Sequence, residues 1–258
     1  MRALGFGVAV HVARFGVIVA GLAIAPLLGI TGWYAGLFVN ALCTIYAAGL
    51  VTWLGLWGRL GLDLRWRGWL AAAAILVLAA EVLLWLVPDG LDVRPPGAAL
   101  WALTLLLVGV NEELVSRGVV LDRMQRAFNP WLAVLLTAAL FGLQHLSAFA
   151  TSSRGAYDVL TNVLVSGCYG FALAAFQLRF AWILPLILLH ASADFTTILS
   201  AAGHGDAVVA VTLVLFVGLG IVLLRGVRGQ PAPTSSTTSA GSPAARPTSQ
   251  ARRHPRRR

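Results

Sequence analysis

About 20 consecutive apolar residues are enough to cross a bilayer as an α-helix, and this chain is built almost wholly from runs of that length. They lie approximately over residues 9–30, 33–57, 69–87, 98–118, 130–150, 157–177, 180–200 and 206–225. Charged residues make up 11% of the 258 positions, against about 25% in an ordinary soluble domain, so a globular enzyme with one large core is excluded. The expectation is an all-α, polytopic membrane helix bundle of about eight transmembrane helices. The first run resembles a secretory signal in position. It is long, contains Arg14 and lacks a small-x-small cleavage site, and it is read as an anchor.

The arginines orient the bundle, because cytoplasmic loops carry the excess of basic residues. Arg2 and Arg14 flank the first run; Arg59, Arg65 and Arg67 follow the second; Arg117, Arg123 and Arg126 follow the fourth; Arg179 follows the sixth. These are alternate connections, which places both termini in the cytoplasm and implies a multi-pass protein of the cell membrane, a bacterial cytoplasmic membrane by this reading. Residues 1–97 then form about three N-terminal helices, 98–225 a core, and 226–258 a tail. That tail is rich in Pro, Ser, Thr and Arg and has too little apolar surface to offset the entropy of ordering. It is expected to be disordered, its terminal RRHPRRR suited to anionic lipid rather than to nucleic acid. Cys43 and Cys168 have no metal-ligand spacing and read as packed residues of apolar helices.

Against this background NEELVSRG, residues 111–118, stands out. An ionised side chain at the bilayer centre costs about 2.5–3.5 kcal/mol on insertion scales, and two glutamates and an arginine occur here together. Glu113 and Arg117 are one turn apart on one helix face, which suits a structural ion pair. Glu112 is rotated about 100° from Glu113 and looks elsewhere. FGLQH sets Phe141 one turn before His145, Phe141 reading as packing. HASAD sets His190 one turn before Asp194. Glu81, in AAAAILVLAAEVLLWL, has no motif around it and either lines the same cavity or pairs with an arginine. Asn40, Asn162 and Ser166 read as interhelical hydrogen-bonding groups. If the fourth helix ends near Arg117, Glu112 and His145 sit at different depths, and a direct contact between them requires either other span boundaries or a glutamate-bearing helix that extends deeper.

The ordered set Glu112-Glu113-x-x-x-Arg117, Phe141-x-x-x-His145 and His190-x-x-x-Asp194 resembles the CPBP intramembrane proteases, the group of the Rce1-type CAAX prenyl endopeptidases and the bacterial Abi proteins. The resemblance covers roughly residues 98–200. It implies Glu112 as general base assisted by His145, Glu113 and Arg117 as a supporting pair, and His190 with Asp194 at the oxyanion. The prenyl proteases have Asn where this chain has Asp194, and an ionised carboxylate cannot donate a hydrogen bond, so Asp194 either orients His190 or is protonated.

The chemistry of the residues agrees with an endopeptidase. Peptide hydrolysis needs an activated water, a proton shuttle and donors for the developing oxyanion. No G-x-S-x-G supports a serine nucleophile. The cofactor expectation is none, with zinc as the alternative: Glu112, His145, His190 and Asp194 are the ligand types Zn²⁺ takes, though no H-E-x-x-H is present. Two non-enzymatic alternatives remain, an immunity-type binding protein and a proton-coupled transporter. Inverted repeats would favour the transporter and none is visible. The substrate expected is a membrane-associated peptide or protein; its sequence, any prenyl group and the oligomeric state are not written in the chain.

Overall fold

The computed structural model describes residues 1–86, 90–201 and 206–227. The basic tail from residue 228 onward, with its expected disorder and lipid contact, lies outside the described residues, as does His204. Each predicted run is a helix. In chain order they are α1 (Arg2–Leu28), α2 (Trp33–Trp53), α3 (Trp69–Leu86), α4 (Ala98–Gln125), α5 (Pro130–Thr151), α6 (Ala156–Phe180), α7 (Ile183–Leu199) and α8 (Asp206–Leu224). Six are long and apolar enough to cross a membrane, and α3 and α7 are shorter apolar helices. Among the described residues no strand forms, and an isolated antiparallel bridge joins Leu91 to Ser200. The protein is a polytopic helical bundle.

Local chemistry sets the helix ends. The Asn129 side chain accepts from the Leu132 N–H at 3.0 Å and Pro130 occupies the first turn of α5, where its missing N–H removes no intrahelical bond. α6 stops at Ala181, which adopts a left-handed conformation at φ 47° and turns the chain into α7. The segment between α2 and α3 braces that turn: the Leu60 carbonyl accepts from Ile183 N–H at 2.8 Å, and the Asp63 carbonyl from Trp182 Nε1 at 2.6 Å.

Inside lipid, apolar burial is a weak drive for helix association, and close packing of small residues takes its place. α4 packs along α7, α5 along α6, α6 along α8, and α1 and α4 along α2. A Cβ on Gly109 of α4 would lie 2.8 Å from the Ile187 carbonyl oxygen of α7, and one on Gly142 of α5 would lie 2.7 Å from the Val163 carbonyl oxygen of α6. Only glycine permits either approach, and these two crossings bring the motif-bearing helices together. Large apolar side chains such as Leu76, Leu135 and Val214 remain outward and exposed, as a lipid-facing surface requires. Trp53, Trp57, Trp66 and Trp69 are exposed near helix ends, the positions an interfacial belt occupies.

α4 corrects the sequence reading in one respect. It does not end near Arg117 but continues to Gln125. Residues Leu114–Val120 form a π-helical segment in which all seven residues are buried, contacted by α1, α2, α5, α6 and α7. Glu112 thus sits mid-helix, and Arg117, 2% exposed, is no loop residue. Arg14 is likewise buried within α1. Two of the arginines read as topological signals are therefore internal.

Candidate active site

The site forms where two helices are both irregular. The π-helical segment of α4 begins immediately after Glu113, and α5 tightens into a 3₁₀ turn at Gln144–Ser147 that carries Gln144 and His145. Such departures from α-geometry re-aim side chains and recur at functional sites.

The adjacent glutamates face opposite partners. Glu113 is fully buried. Its Oε1 accepts from His190 Nδ1 at 2.8 Å and lies 2.9 Å from Arg117 Nη1. The Arg117 guanidinium is stacked 4.0 Å above the Phe141 ring centroid, and none of its N–H groups aims at an acceptor within hydrogen-bond geometry. It is held by charge and by the ring face rather than by a fork of hydrogen bonds. Gly170 of α6 leaves the room for this stack: a Cβ there would lie 2.7 Å from Phe141 Cδ1 and 3.3 Å from Arg117 Nη2. Phe141 also meets both imidazoles edge-on, His145 at 5.4 Å and His190 at 5.8 Å between centroids, so its packing role is to set the two histidines apart.

Glu112 looks the other way. Its Oε1 accepts from Arg14 Nη2 at 2.8 Å and its Oε2 from Gln144 Nε2 at 3.0 Å. Arg14 Nε also donates to Asn111 Oδ1 at 2.9 Å, and Asn111 Nδ2 reaches Asn40 Oδ1 at 3.4 Å. His11 Nδ1 is 3.0 Å from Gln144 Oε1; since the Gln144 amide nitrogen is spent on Glu112, His11 is the donor. A continuous polar chain therefore runs from α1 and α2 to the Glu112 carboxylate.

His190 connects the two sides. Its Nε2 lies 3.9 Å from Glu112 Oε2 and 3.7 Å from Asp194 Oδ2. A carboxylate only accepts, so Nδ1 carries the proton shared with Glu113, and Nε2 is free to face Glu112 and Asp194. His145 Nδ1 donates to the Phe141 carbonyl at 3.0 Å, which fixes its tautomer and leaves the Nε2 lone pair available, 3.4 Å from Ser166 Oγ. His145 forms no ion pair with Glu112; Gln144, its chain neighbour, makes that contact. The structure thus groups Glu112, Glu113, Arg117, Phe141, His190 and Asp194 in contact, and joins His145 to them through Phe141. Among the described residues no three His, Cys, Asp or Glu side chains converge as they would around a metal ion.

Sequence reasoning missed Arg14, His11, Gln144 and Tyr169. Arg14 and His11 are three residues apart on one face of an apolar helix, a signal of the same kind that drew attention to Glu112. Gln144 sits inside the FGLQH segment. Tyr169 left no signal: its ring meets His190 edge-on at 5.8 Å and its buried hydroxyl has no partner.

These features define a multi-pass membrane protein with a buried, charged site at its centre. Residues 94–196 match the family described as Type II CAAX prenyl endopeptidase Rce1-like, and over this segment the chain is similar to that family. The match contains Glu112, Glu113, Arg117, Phe141, His145, His190 and Asp194 and leaves out α1, α2, α3 and α8. No curated protein matches the chain.

Proposed function

We propose that the protein hydrolyses a peptide bond of a membrane-associated peptide or protein, with Glu112 activating the attacking water. The observation that carries this reading is the approach of Glu112 Oε2 and Asp194 Oδ2 to the same nitrogen, His190 Nε2, at 3.9 and 3.7 Å. Glu112 takes a proton from water as its oxygen bonds to the scissile carbonyl carbon. His190, held by Glu113, presents Nε2–H in its imidazolium form to the developing oxyanion. Collapse of the tetrahedral intermediate breaks the C–N bond, and the proton returns to the leaving amine from Glu112, with His145 Nε2 as the second acceptor in reach of the site. Arg14 and Gln144 keep the Glu112 carboxylate oriented, and Arg14 supplies its countercharge in a low-dielectric setting. Asp194 orients His190 and donates nothing itself while ionised.

The reading is metal-free. A guanidinium 2.8 Å from Glu112 opposes a divalent cation at the same carboxylate. Cleavage of a quenched peptide library by the purified protein in nanodiscs tests both points. Wild type cleaves, Glu112→Gln and His190→Ala do not, and a chelator has no effect. Loss on chelation that Zn²⁺ restores would replace this mechanism with the zinc-dependent one, and cleavage surviving in Glu112→Gln would remove the base.

A further inference from the structure

Glu81 is the costly residue that the mechanism leaves unused. It lies in the apolar helix α3, its Oε2 is buried, and no group hydrogen-bonds to that oxygen. An unpaired carboxylate at membrane depth is retained only where something gains from it. Glu81 lines an open cavity of about 220 Å³ bordered by α3, α6, α7 and α8, with Asn162, Thr197 and Thr212 on its walls together with the exposed Arg154, Tyr157 and Asp158. That space is smaller than the roughly 300 Å³ at which small-molecule pockets begin, and it suits one long side chain.

The cavity abuts the reactive cluster on two sides. Asn162 accepts from Ser166, which contacts His145 Nε2. Thr197 follows Asp194 by three residues, one turn of α7, and Glu81 is within electrostatic reach of Asp194 and His190. An apolar cleft of about 340 Å³ between α3 and α8, walled by Val77, Val211, Leu215 and Phe216, shares Glu81 and Thr212 with it. A substrate backbone lying along this cleft would send a side chain toward Glu81. Among the charged groups of the lining, Glu81 and Asp158, with Asp194 beyond, stand against Arg154, which is exposed and bonded to the Asp158 carbonyl at 3.4 Å.

We propose that this cavity is a substrate-specificity pocket, with Glu81 at its inner end, for a cationic side chain, lysine or arginine, next to the scissile bond of a membrane-associated peptide. The inference rests on the endopeptidase reading for the word substrate. The pocket itself rests on the unpaired carboxylate, the volume and the polar walls. A neutral side chain of equal length would leave Glu81 without a partner, and an acidic one would be repelled.

Two peptides that differ only in lysine versus norleucine, within an otherwise fixed apolar sequence, test it against the full-length protein in nanodiscs. Binding is measured with Glu112→Gln protein, so that turnover is not required, and cleavage with protein carrying Glu112. The lysine peptide should bind roughly tenfold or more tighter, as a charge-assisted hydrogen bond in a buried site would give. Adding Glu81→Gln should collapse that ratio toward one, and Thr212→Trp, which fills the cavity from α8, should do the same without touching the carboxylate. An unchanged ratio in both variants overturns the pocket, whether or not any peptide is cleaved. A lysine preference that depends on Glu81 in binding, without cleavage by wild type, keeps the pocket and sinks the hydrolase.

Discussion

Glu112 and Glu113 are neighbours in sequence, yet they belong to different parts of the molecule. All the polar contacts of Glu113 come from within residues 94–196: Arg117 one turn on, His190 from α7, and Phe141 beneath the arginine. Glu112 takes Gln144 and His190 from within that segment, but its cationic hydrogen-bond partner, Arg14, comes from outside it, as does His11 behind Gln144. The Glu113 side is a sealed brace that the family segment provides for itself. The Glu112 side takes its countercharge from an N-terminal helix that the family match does not reach. The matched segment therefore holds Glu113 by itself, and α1 completes the surroundings of Glu112.

The hardest test of this division is Glu112→Gln. It keeps the shape and an acceptor for Arg14 but removes the base, and peptide cleavage should fall by about 10²–10⁴-fold, with a smaller loss of stability from the uncompensated Arg14. An equal loss of stability would mean that Glu112 is another brace. Arg117→Met should behave in the opposite way. It leaves Glu113 buried without its cation, a defect of about 3–5 kcal/mol for a buried pair, so thermal unfolding in nanodiscs should drop steeply. Adding Glu113→Gln should recover part of that loss, because no uncompensated charge remains. A double variant as unstable as the sum of the single ones would show that the pair itself contributes little.

Much of this arrangement was legible before the structure. The eight apolar runs are eight helices because helix length and bilayer thickness are tied by a fixed rise per residue. The divergence of the two glutamates follows from the helical period. The end of α4 was not legible. Arg117 looks like the charge that closes a span, and only the packing of five other helices around Leu114–Val120 shows that the helix passes through it. A π-helical stretch has no periodic signature in seven residues, so the depth conflict between Glu112 and His145 could be noticed but not resolved. Arg14 was legible as a charge inside an apolar helix and was misassigned to topology, because nothing in one sequence says which of two helices a side chain faces. Gln144, beside His145, belongs to a 3₁₀ turn that a regular helix would have pointed elsewhere.

Arg14 gives the next sharper test. Arg14→Gln should lower kcat by about ten- to hundredfold, the worth of one charge-assisted hydrogen bond to Glu112, with a smaller effect on KM. Arg14→Lys should recover only part, since one ammonium cannot serve Asn111 Oδ1 and Glu112 Oε1 in the fixed fork that the guanidinium provides. If Arg14→Gln lowers stability and leaves kcat untouched, α1 is a strut and the division between the two glutamates loses its functional meaning.

The smallest effect should come from the far end of the same chain of contacts. Asn40 of α2 accepts from Asn111 at 3.4 Å, a long bond, while the Asn111 amide also donates to the Leu107 carbonyl at 2.6 Å. Because Asn111 keeps that second acceptor, Asn40→Ala should cost about 0.6 kcal/mol, the mean for interhelical bonds in membranes, and change kcat by less than about threefold. A larger loss of kcat at unchanged stability would mean that orientation is passed from α2 through Asn111 and Arg14 to the Glu112 carboxylate. The part of the molecule that shapes the reactive side would then extend across both N-terminal helices, while the Glu113 brace would still answer to its own segment alone.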